Sequence, residues 1–286
     1  MKYIKFTDLI TTIRTNIHKV PHDIDFVIGI ERSGMIVASI ISEYINVPLI
    51  GLKSFISGCK PTGGDRLGLT NKNKTNKVLV IDDTCYSGKS MKNAKNLLKN
   101  YQYDFIYLAA YLEGKGIDEL DIYLEDVREY TKDTINIVLY EWNIFHHYPF
   151  ISQRCIYDID GVFCIDPPDE LKTEEYEKYI KNAIPLFIPT VSIGKIVTYR
   201  LSKYMDITEK WLKEQGIRYN QLIMFKADSY KERYNSGVSS EYMKGTIYRD
   251  DNQSILFIES DDYQARMIHQ ISKKPVLCVS TNKLYQ

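Results

Sequence analysis

The sequence lacks an excess of charge of either sign. Its 286 residues hold 37 Lys and Arg against 37 Asp and Glu, so no overall field draws the chain to nucleic acid or anionic lipid. Phosphate recognition, where it occurs, has to be local. There is no CxxC pair and no zinc-type spacing among Cys59, Cys85, Cys155, Cys164 and Cys278. An odd set of five thiols without such spacing fits reduced cysteines and a cytoplasmic protein rather than a disulfide framework. No apolar run approaches the roughly 20 residues of a membrane span, and residues 1–10 carry Lys2, Lys5 and Asp8, which is not the pattern of a signal peptide. Internal repeats are absent too. The 23 tyrosines, with many Ile, Asn and Lys, fit an AT-rich coding sequence as well as a ligand.

What is present is a double alternation. Phe6, Leu9, Ile10, Ile13 and Ile17 recur at helical spacing, and short apolar runs follow at 24–30, 47–52, 78–81, 105–112 and 135–140. Helical patterns at 35–45 and 89–99 separate some of these runs. A second series begins near Cys155, with strand-like runs at 155–159, 194–199, 221–225, 254–258 and 275–279, and helical patterns at 171–183, 206–215, 240–249 and 263–272. Apolar runs bounded by helices predict strands buried on both faces, hence an α/β fold with two domains, each a mainly parallel sheet flanked by helices. The Tyr148-Pro149 corner puts the joint between domains 1–149 and 150–286. The Gly-rich span 57–77 is either an active-site cover or a disordered insertion.

The strongest local signal is Val78-Leu79-Val80-Ile81-Asp82-Asp83-Thr84-Cys85-Tyr86-Ser87-Gly88-Lys89-Ser90. A buried strand ends in two carboxylates, and a small polar loop with a glycine leads into a helix. Ligands of open α/β sheets gather at that edge, backbone amides of such a loop hold phosphate, and paired carboxylates accept from sugar hydroxyls. These residues predict a ribose phosphate or Mg-bound phosphate site, or, read structurally, an acidic turn capping a helix. Cys85 reads as an inert thiol and His146-His147 as a solvated turn.

This segment resembles the signature of the type I phosphoribosyltransferases. The resemblance spans about 1–147. It implies that Asp82 and Asp83 hold the ribose hydroxyls of phosphoribosyl pyrophosphate (PRPP). Thr84, Tyr86, Ser87, Gly88, Lys89 and Ser90 would hold its 5′-phosphate. Tyr86 and Lys89 stand where the family usually has small residues. Gly29-Ile30-Glu31-Arg32-Ser33-Gly34 resembles the family's pyrophosphate loop, with Arg32, Ser33 and Gly34 as contacts, and span 57–77 sits where the family has its catalytic hood, with Lys60 and Arg66 as phosphate contacts. Glu141-Trp142 resembles a base-side segment, with Trp142 as a stacking platform or a core residue. The implied reaction is displacement of pyrophosphate at ribose C1 by a base nitrogen, assisted by Mg²⁺. The same fold also serves as a ligand sensor.

In the second half, Asp158-Ile159-Asp160-Gly161 follows an apolar run, Ile196-Val197-Thr198-Tyr199-Arg200 closes another with a hydroxyl, and Ile258-Glu259-Ser260-Asp261-Asp262 ends a third in acids. With Lys244 between them, the order resembles the haloacid-dehalogenase-like (HAD) phosphohydrolases over about 151–286. That implies Asp158 as phosphoryl acceptor, Asp160 as general acid/base, and Thr198 and Lys244 as stabilisers of the transferring group. Mg²⁺ would lie among Asp158, Asp160, Glu259 and Asp262. Lys226 competes with Lys244, and the short insert after Asp160 implies a minimal cap. Together the resemblances imply a bifunctional enzyme. Its substrates would be PRPP, a base-like acceptor and a phosphate monoester. The alternative is a phosphatase with a sensing domain. Neither membrane nor nucleic acid is expected as partner, and the sequence leaves a homo-oligomer open.

Overall fold

Alternation within each strand decides which helices cover which face. The computed structural model describes residues 1–64, 75–130, 137–146, 149–168 and 173–286; Arg66, His147 and Tyr148 lie outside them. The chain divides into two units, Met1–Trp142 and Asn143–Gln286. The division falls ahead of the Tyr148-Pro149 corner because Phe145 is buried and stacks on Phe187, centroids 4.9 Å apart.

In the first unit, strands β2 (Phe26–Gly29), β3 (Leu49–Gly51), β4 (Lys77–Cys85), β5 (Asp104–Leu112) and β6 (Ile122–Asp126) form a parallel sheet in the order β3-β2-β4-β5-β6. Val27, Leu79, Ile81 and Leu108 face Leu9 and Ile13 of α1 (Phe6–Asn16) and Val37, Ala38 and Ile41 of α2 (Gly34–Ile45). The alternate residues Phe26, Ile28, Val78 and Val80 face α3 (Leu52–Ile56) and α4 (Lys89–Leu98) through Leu52, Phe55, Met91, Ala94 and Leu98. Both faces are therefore dry, as the unbroken apolar runs predict. Two differences from expectation concern edges. The run at 135–140 is not a strand of this sheet: β7 (Val138–Tyr140) pairs instead with β1 (Lys2–Ile4) in a separate two-stranded ribbon. The acidic pair lies inside β4 rather than beyond it, because pairing with β5 continues through Asp82, Thr84 and Cys85.

The second unit has the strand order β10-β9-β8-β11-β12-β13. Its strands are β8 (Cys155–Tyr157), β9 (Ile193–Leu201), β10 (Tyr219–Phe225), β11 (Leu256–Glu259), β12 (Val276–Cys278) and β13 (Lys283–Tyr285). All pairs are parallel except β12 with β13. Helices α5 (Pro149–Ser152), α6 (Thr173–Asn182), α7 (Met205–Glu214), α8 (Tyr230–Asn235), α9 (Ser240–Asp250) and α10 (Asp262–Ser272) complete it. Tyr248 of α9 and Ala265 and Ile268 of α10 pack on Ile156, Val197, Phe257 and Val276. Thr198 does not close its strand, since β9 runs on to Leu201. Among the described residues no helix is long and apolar enough to cross a membrane.

Gly194 sets a tight tolerance in β9. A Cβ there would lie 2.4 Å from the carbonyl oxygen of Gln153 and 2.5 Å from that of Cys155. Backbone at the start of β8 and in the turn leading into it has little room to move, so Gly194→Ala is expected to lower stability by about 1–3 kcal/mol, measured as a shifted midpoint in urea unfolding followed by circular dichroism.

Candidate functional sites

Both sheets reverse their strand order at one point. In the first, the chain passes from β2 to β3 on one side and then to β4 on the other. In the second it runs outward from β8 to β9 and β10, then returns to β11. Loops diverge at such points and leave a crevice at the carboxyl edge. The acidic residues singled out from the sequence sit at these two places.

At the first crevice Asp82 and Asp83 are both buried, 8% and 6% exposed. The Asp83 amide donates to Asp82 Oδ1 at 2.9 Å, and Trp142 Nε1 donates to Asp83 Oδ2 at 2.7 Å. Burial first, and then the Asp83 charge, push the Asp82 carboxyl well above the usual carboxylate range. Glu113 at the end of β5 is pushed up to about 7 by burial and by Asp83, against a hydrogen bond from Tyr140. Trp142 is half-buried against Tyr140 and Phe6, with centroids at 4.9 and 5.5 Å. Its indole orients a carboxylate. Glu141 accepts from the Phe6 amide at 2.7 Å and so ties this corner to the start of α1.

The loop after β4 is fixed by its neighbour. The Gly116 amide donates to Tyr86 O at 3.0 Å, and the Glu113 amide to Cys85 O at 2.9 Å. A Cβ on Gly116 would meet Gly88 N at 2.4 Å, and one on Gly114 would meet Tyr86 O at 2.5 Å. Gly88 itself has φ +74°, a left-handed conformation natural to glycine, immediately before α4. Tyr86, Ser87, Lys89 and Ser90 are exposed there and Thr84 is half-buried. The first amides of α4 have no acceptor within the helix, so the loop can receive an anion. Cys85 points inward to Gly116 O, and burial raises its thiol pKa, which leaves it inert.

Across the crevice the peptide between Glu31 and Arg32 is cis. Glu31 Oε1 accepts from the Lys53 amide at 2.8 Å and lies where a Gly51 side chain would stand. Arg32 is exposed and Ser33 half-buried. Gly34 packs on β4 so closely that a Cβ would be 2.7 Å from Ile81 O and 3.0 Å from Asp82 Oδ1. Lys60 is exposed.

The second crevice opens into a cavity of about 720 Å³ lined by Asp158, Asp160, Thr198, Lys244, Glu259 and Asp262 among others. Lys244 Nζ, 1% exposed with its residue, donates to Asp158 Oδ2 at 2.7 Å, Glu259 Oε2 at 2.8 Å and Gln264 Oε1 at 3.0 Å. Two carboxylates thus share one ammonium. Asp158 Oδ1 is buried without a hydrogen-bond partner. Burial pushes the Asp158 carboxyl up to about 7, against the pull of Lys244. Asp160 behaves oppositely. Burial would raise it, but the bidentate Arg200 guanidinium holds it below the usual range, with Nε donating to Oδ2 at 3.0 Å. Tyr179 adds a bond to Oδ1 at 2.6 Å. Arg200 Nη1 is buried and unpartnered. Thr198 Oγ1 accepts from the Arg200 amide at 3.4 Å. Asp262 Oδ1 accepts from Thr281 at 2.9 Å and Tyr285 at 2.7 Å. Of the two competing lysines, Lys244 meets Asp158 while Lys226 is exposed.

Among the described residues no three His, Cys, Asp or Glu side chains converge tightly enough to enclose a metal alone. A hard divalent cation that keeps water and phosphate oxygens needs only one or two carboxylates. The unpartnered Asp158 Oδ1, on a cavity that Glu259 also lines, fits that requirement.

The family model of the phosphoribosyl transferase domain matches residues 3–147. The chain belongs to that family. Among solved structures, similarity is found to purine phosphoribosyltransferase from Pyrococcus horikoshii Ot3 (17% identity, 49% of this chain and 92% of that one, TM-score 0.33). It is also found to xanthine-guanine-hypoxanthine phosphoribosyltransferase of Helicobacter pylori (16%, 50% and 93%, 0.37), and to a chain of the Pnkp1/Rnl/Hen1 RNA repair complex (13%, 96% and 94%, 0.31). No curated protein matches the chain.

Within the phosphoribosyltransferase domain, sequence reasoning passed over Glu113 and the Gly114–Gly116 turn, whose roles exist only once β5 lies beside β4. In the other unit it passed over Arg200 as the partner of Asp160. Because folding raises the proton affinity of Glu113 from the ordinary 4.5 to about 7, its protonated form favours the native state. That stability is complete below about pH 4.5 and is lost as pH rises through 7. Glu113→Gln should therefore gain on the parent protein between pH 5 and pH 8, measured by urea unfolding at both values.

Proposed function

We propose that the chain is a bifunctional enzyme: PRPP-dependent phosphoribosyl transfer in the first unit and phosphate-monoester hydrolysis through Asp158 in the second. The observation that carries the reading is the placing of buried, charge-deficient carboxylates at the switch point of each parallel sheet. Family membership supports the first half. The second half rests on geometry and on the HAD resemblance of Asp158, Thr198, Lys244 and Glu259.

In the transferase half, Asp82 and Asp83 accept hydrogen bonds from the ribose 2′- and 3′-hydroxyls, and Trp142 keeps Asp83 turned toward them. The amides of residues 86–90 take the 5′-phosphate, with Ser87 and Ser90 as hydroxyl donors. Arg32, Ser33 and Gly34 meet the leaving pyrophosphate. The bond from ribose C1 to the pyrophosphate oxygen breaks as the base nitrogen bonds to C1, and positive charge on the ring sugar is stabilised by the adjacent acids. Mg²⁺, when bound, neutralises the pyrophosphate.

In the hydrolase half, Asp158 attacks phosphorus while the leaving alkoxide takes a proton from Asp160. Water then attacks the acyl phosphate, its proton passes to Asp160, and Asp158 is regenerated with release of phosphate. Lys244 and Thr198 stabilise the transferring group. Arg200 favours the ionised form of Asp160, which suits the water step. For the acid step Arg200 has to turn toward the phosphoryl oxygens, where its free Nη1 has a use. Mg²⁺ would be held by Asp158 and Glu259; Asp262 lines the same cavity but is engaged by Thr281 and Tyr285.

The test is incubation with Mg²⁺, PRPP and a panel of nucleobases, with products resolved by mass. Expected are pyrophosphate and a nucleotide that is then dephosphorylated. Asp82→Ala/Asp83→Ala should cut pyrophosphate release by about 10²-fold or more. Asp158→Asn should cut phosphate release by about 10³-fold and leave pyrophosphate release intact. PRPP binding without turnover would replace the transferase by a sensor, and phosphate release unaffected by Asp158→Asn would end the hydrolase reading.

A further inference from the structure

The cavity over Asp158 is larger than a phosphoryl group needs, and at about 720 Å³ it has the size of a small-molecule site. Its wall includes Tyr199, Tyr230 and Arg233. The Arg233 guanidinium lies between two rings, its carbon 4.4 Å from the Tyr199 centroid and 4.9 Å from that of Tyr230. Nη1 donates to Tyr199 O at 2.8 Å. With two rings this close and Nη1 engaged, the guanidinium is held in place, and its remaining N–H donors are left for a ligand. Those donors match two oxygens of a phosphate.

The cavity lining carries six acids, Asp158, Asp160, Asp166, Glu259, Asp261 and Asp262, against three cations, Arg200, Arg233 and Lys244, so an anion is held only where a cation lacks a carboxylate partner. The other two cations of the cavity have carboxylate partners, Arg200 in Asp160, and Lys244 in Asp158 and Glu259. Asp261 caps α10 through the Gln264 amide, and Asp262 is held by Thr281 and Tyr285. Among the described residues no carboxylate pairs with Arg233. Arg200, 2% exposed, lines the same cavity with its Nη1 unpartnered, and that donor belongs to the phosphoryl group at Asp158.

We propose that Arg233, clamped between Tyr199 and Tyr230, is a second anion subsite, and that the substrate hydrolysed at Asp158 carries another phosphoryl group on its leaving side. The identity of the reaction rests on the hydrolase reading above; the subsite itself does not. A phosphomonoester and a phosphodiester both present the required pair of oxygens, so a nucleoside bisphosphate and a 3′-phosphorylated dinucleotide are the two sources to separate.

Phosphate release is measured from adenosine 3′,5′-bisphosphate, 3′-phosphorylated diadenosine, and adenosine 3′- and 5′-monophosphates. We expect kcat/KM for one or both doubly phosphorylated compounds to exceed the monophosphates by about tenfold or more. Arg233→Gln should erase that preference, a loss of about 10–100-fold for a charged hydrogen-bonded contact, while changing monophosphate turnover less than about threefold. Arg233→Lys should recover part of it, and both variants should unfold near the parent midpoint. Binding of the same compounds is measured by calorimetry in Asp158→Asn protein that also carries Asp82→Ala and Asp83→Ala, which removes the nucleotide site of the first unit. Preferential binding lost in Arg233→Gln, with no phosphate release from any compound, keeps the subsite and sinks the hydrolase. Asp158-dependent release with no preference, or with Arg233→Gln weakening every compound alike, keeps the hydrolase and overturns the subsite.

Discussion

Taking carboxylates out of water is the costly act on which both crevices depend. An isolated ionised carboxyl is strongly disfavoured in a protein interior, and yet Asp82, Asp83, Asp158 and Glu259 are all nearly sealed. The parallel sheets make this possible by bringing each acid toward the carboxyl edge, where partner groups are also fixed. Asp83 has the Trp142 indole, Asp82 has the Asp83 amide, and Asp158 and Glu259 have Lys244. None of these partners neutralises the cluster fully. What is left over is an affinity for protons, for hydroxyl donors or for a divalent cation, and the rest of each site is arranged around that deficit.

The two units meet the problem differently. In the first, described contacts to the acidic pair come from an indole and an amide, neutral groups that orient without cancelling charge and leave the carboxylates able to accept from hydroxyl donors. In the second, Lys244 and Arg200 each bind an acid but with opposite results. Lys244 is divided between two carboxylates and leaves Asp158 easy to protonate, whereas Arg200 gives both nitrogens to Asp160 and keeps it ionised. Two aspartates one residue apart on either side of Ile159 thereby acquire different proton affinities, the condition for assigning them different tasks.

Much of this was legible in the chain. Fully apolar runs such as 78–81 cannot be stable strands unless covered on both faces, and that alone fixes a parallel α/β sheet. The acids at Asp82, Asp83, Asp158 and Glu259 stood out because they interrupt such runs at one end. Less was visible at the margins. β1, with Lys2 at its start, exists only through pairing with β7, more than half the unit away in sequence. β6 and β13 are sheet edges whose half-wet residues carry no unbroken apolar pattern. α8 is a short polar segment stabilised by a Ser229 cap. Tertiary pairs such as Trp142 with Asp83, Arg200 with Asp160, and the ring clamp on Arg233 leave no local trace, since neither member of a pair looks unusual where it stands.

The glycines at 88, 114 and 116 carry a consequence for how an anion would be received. With backbone packed against backbone and three backbone hydrogen bonds across the join, the turn after β4 and the turn after β5 form one solid piece. Its amides are aimed before any guest arrives, so the entropy of ordering the loop has been lost during folding and is not charged again on association. A receptor of that kind would recognise by fit rather than by closing, and a single added methyl group at position 114 or 116 would split the piece along its seam.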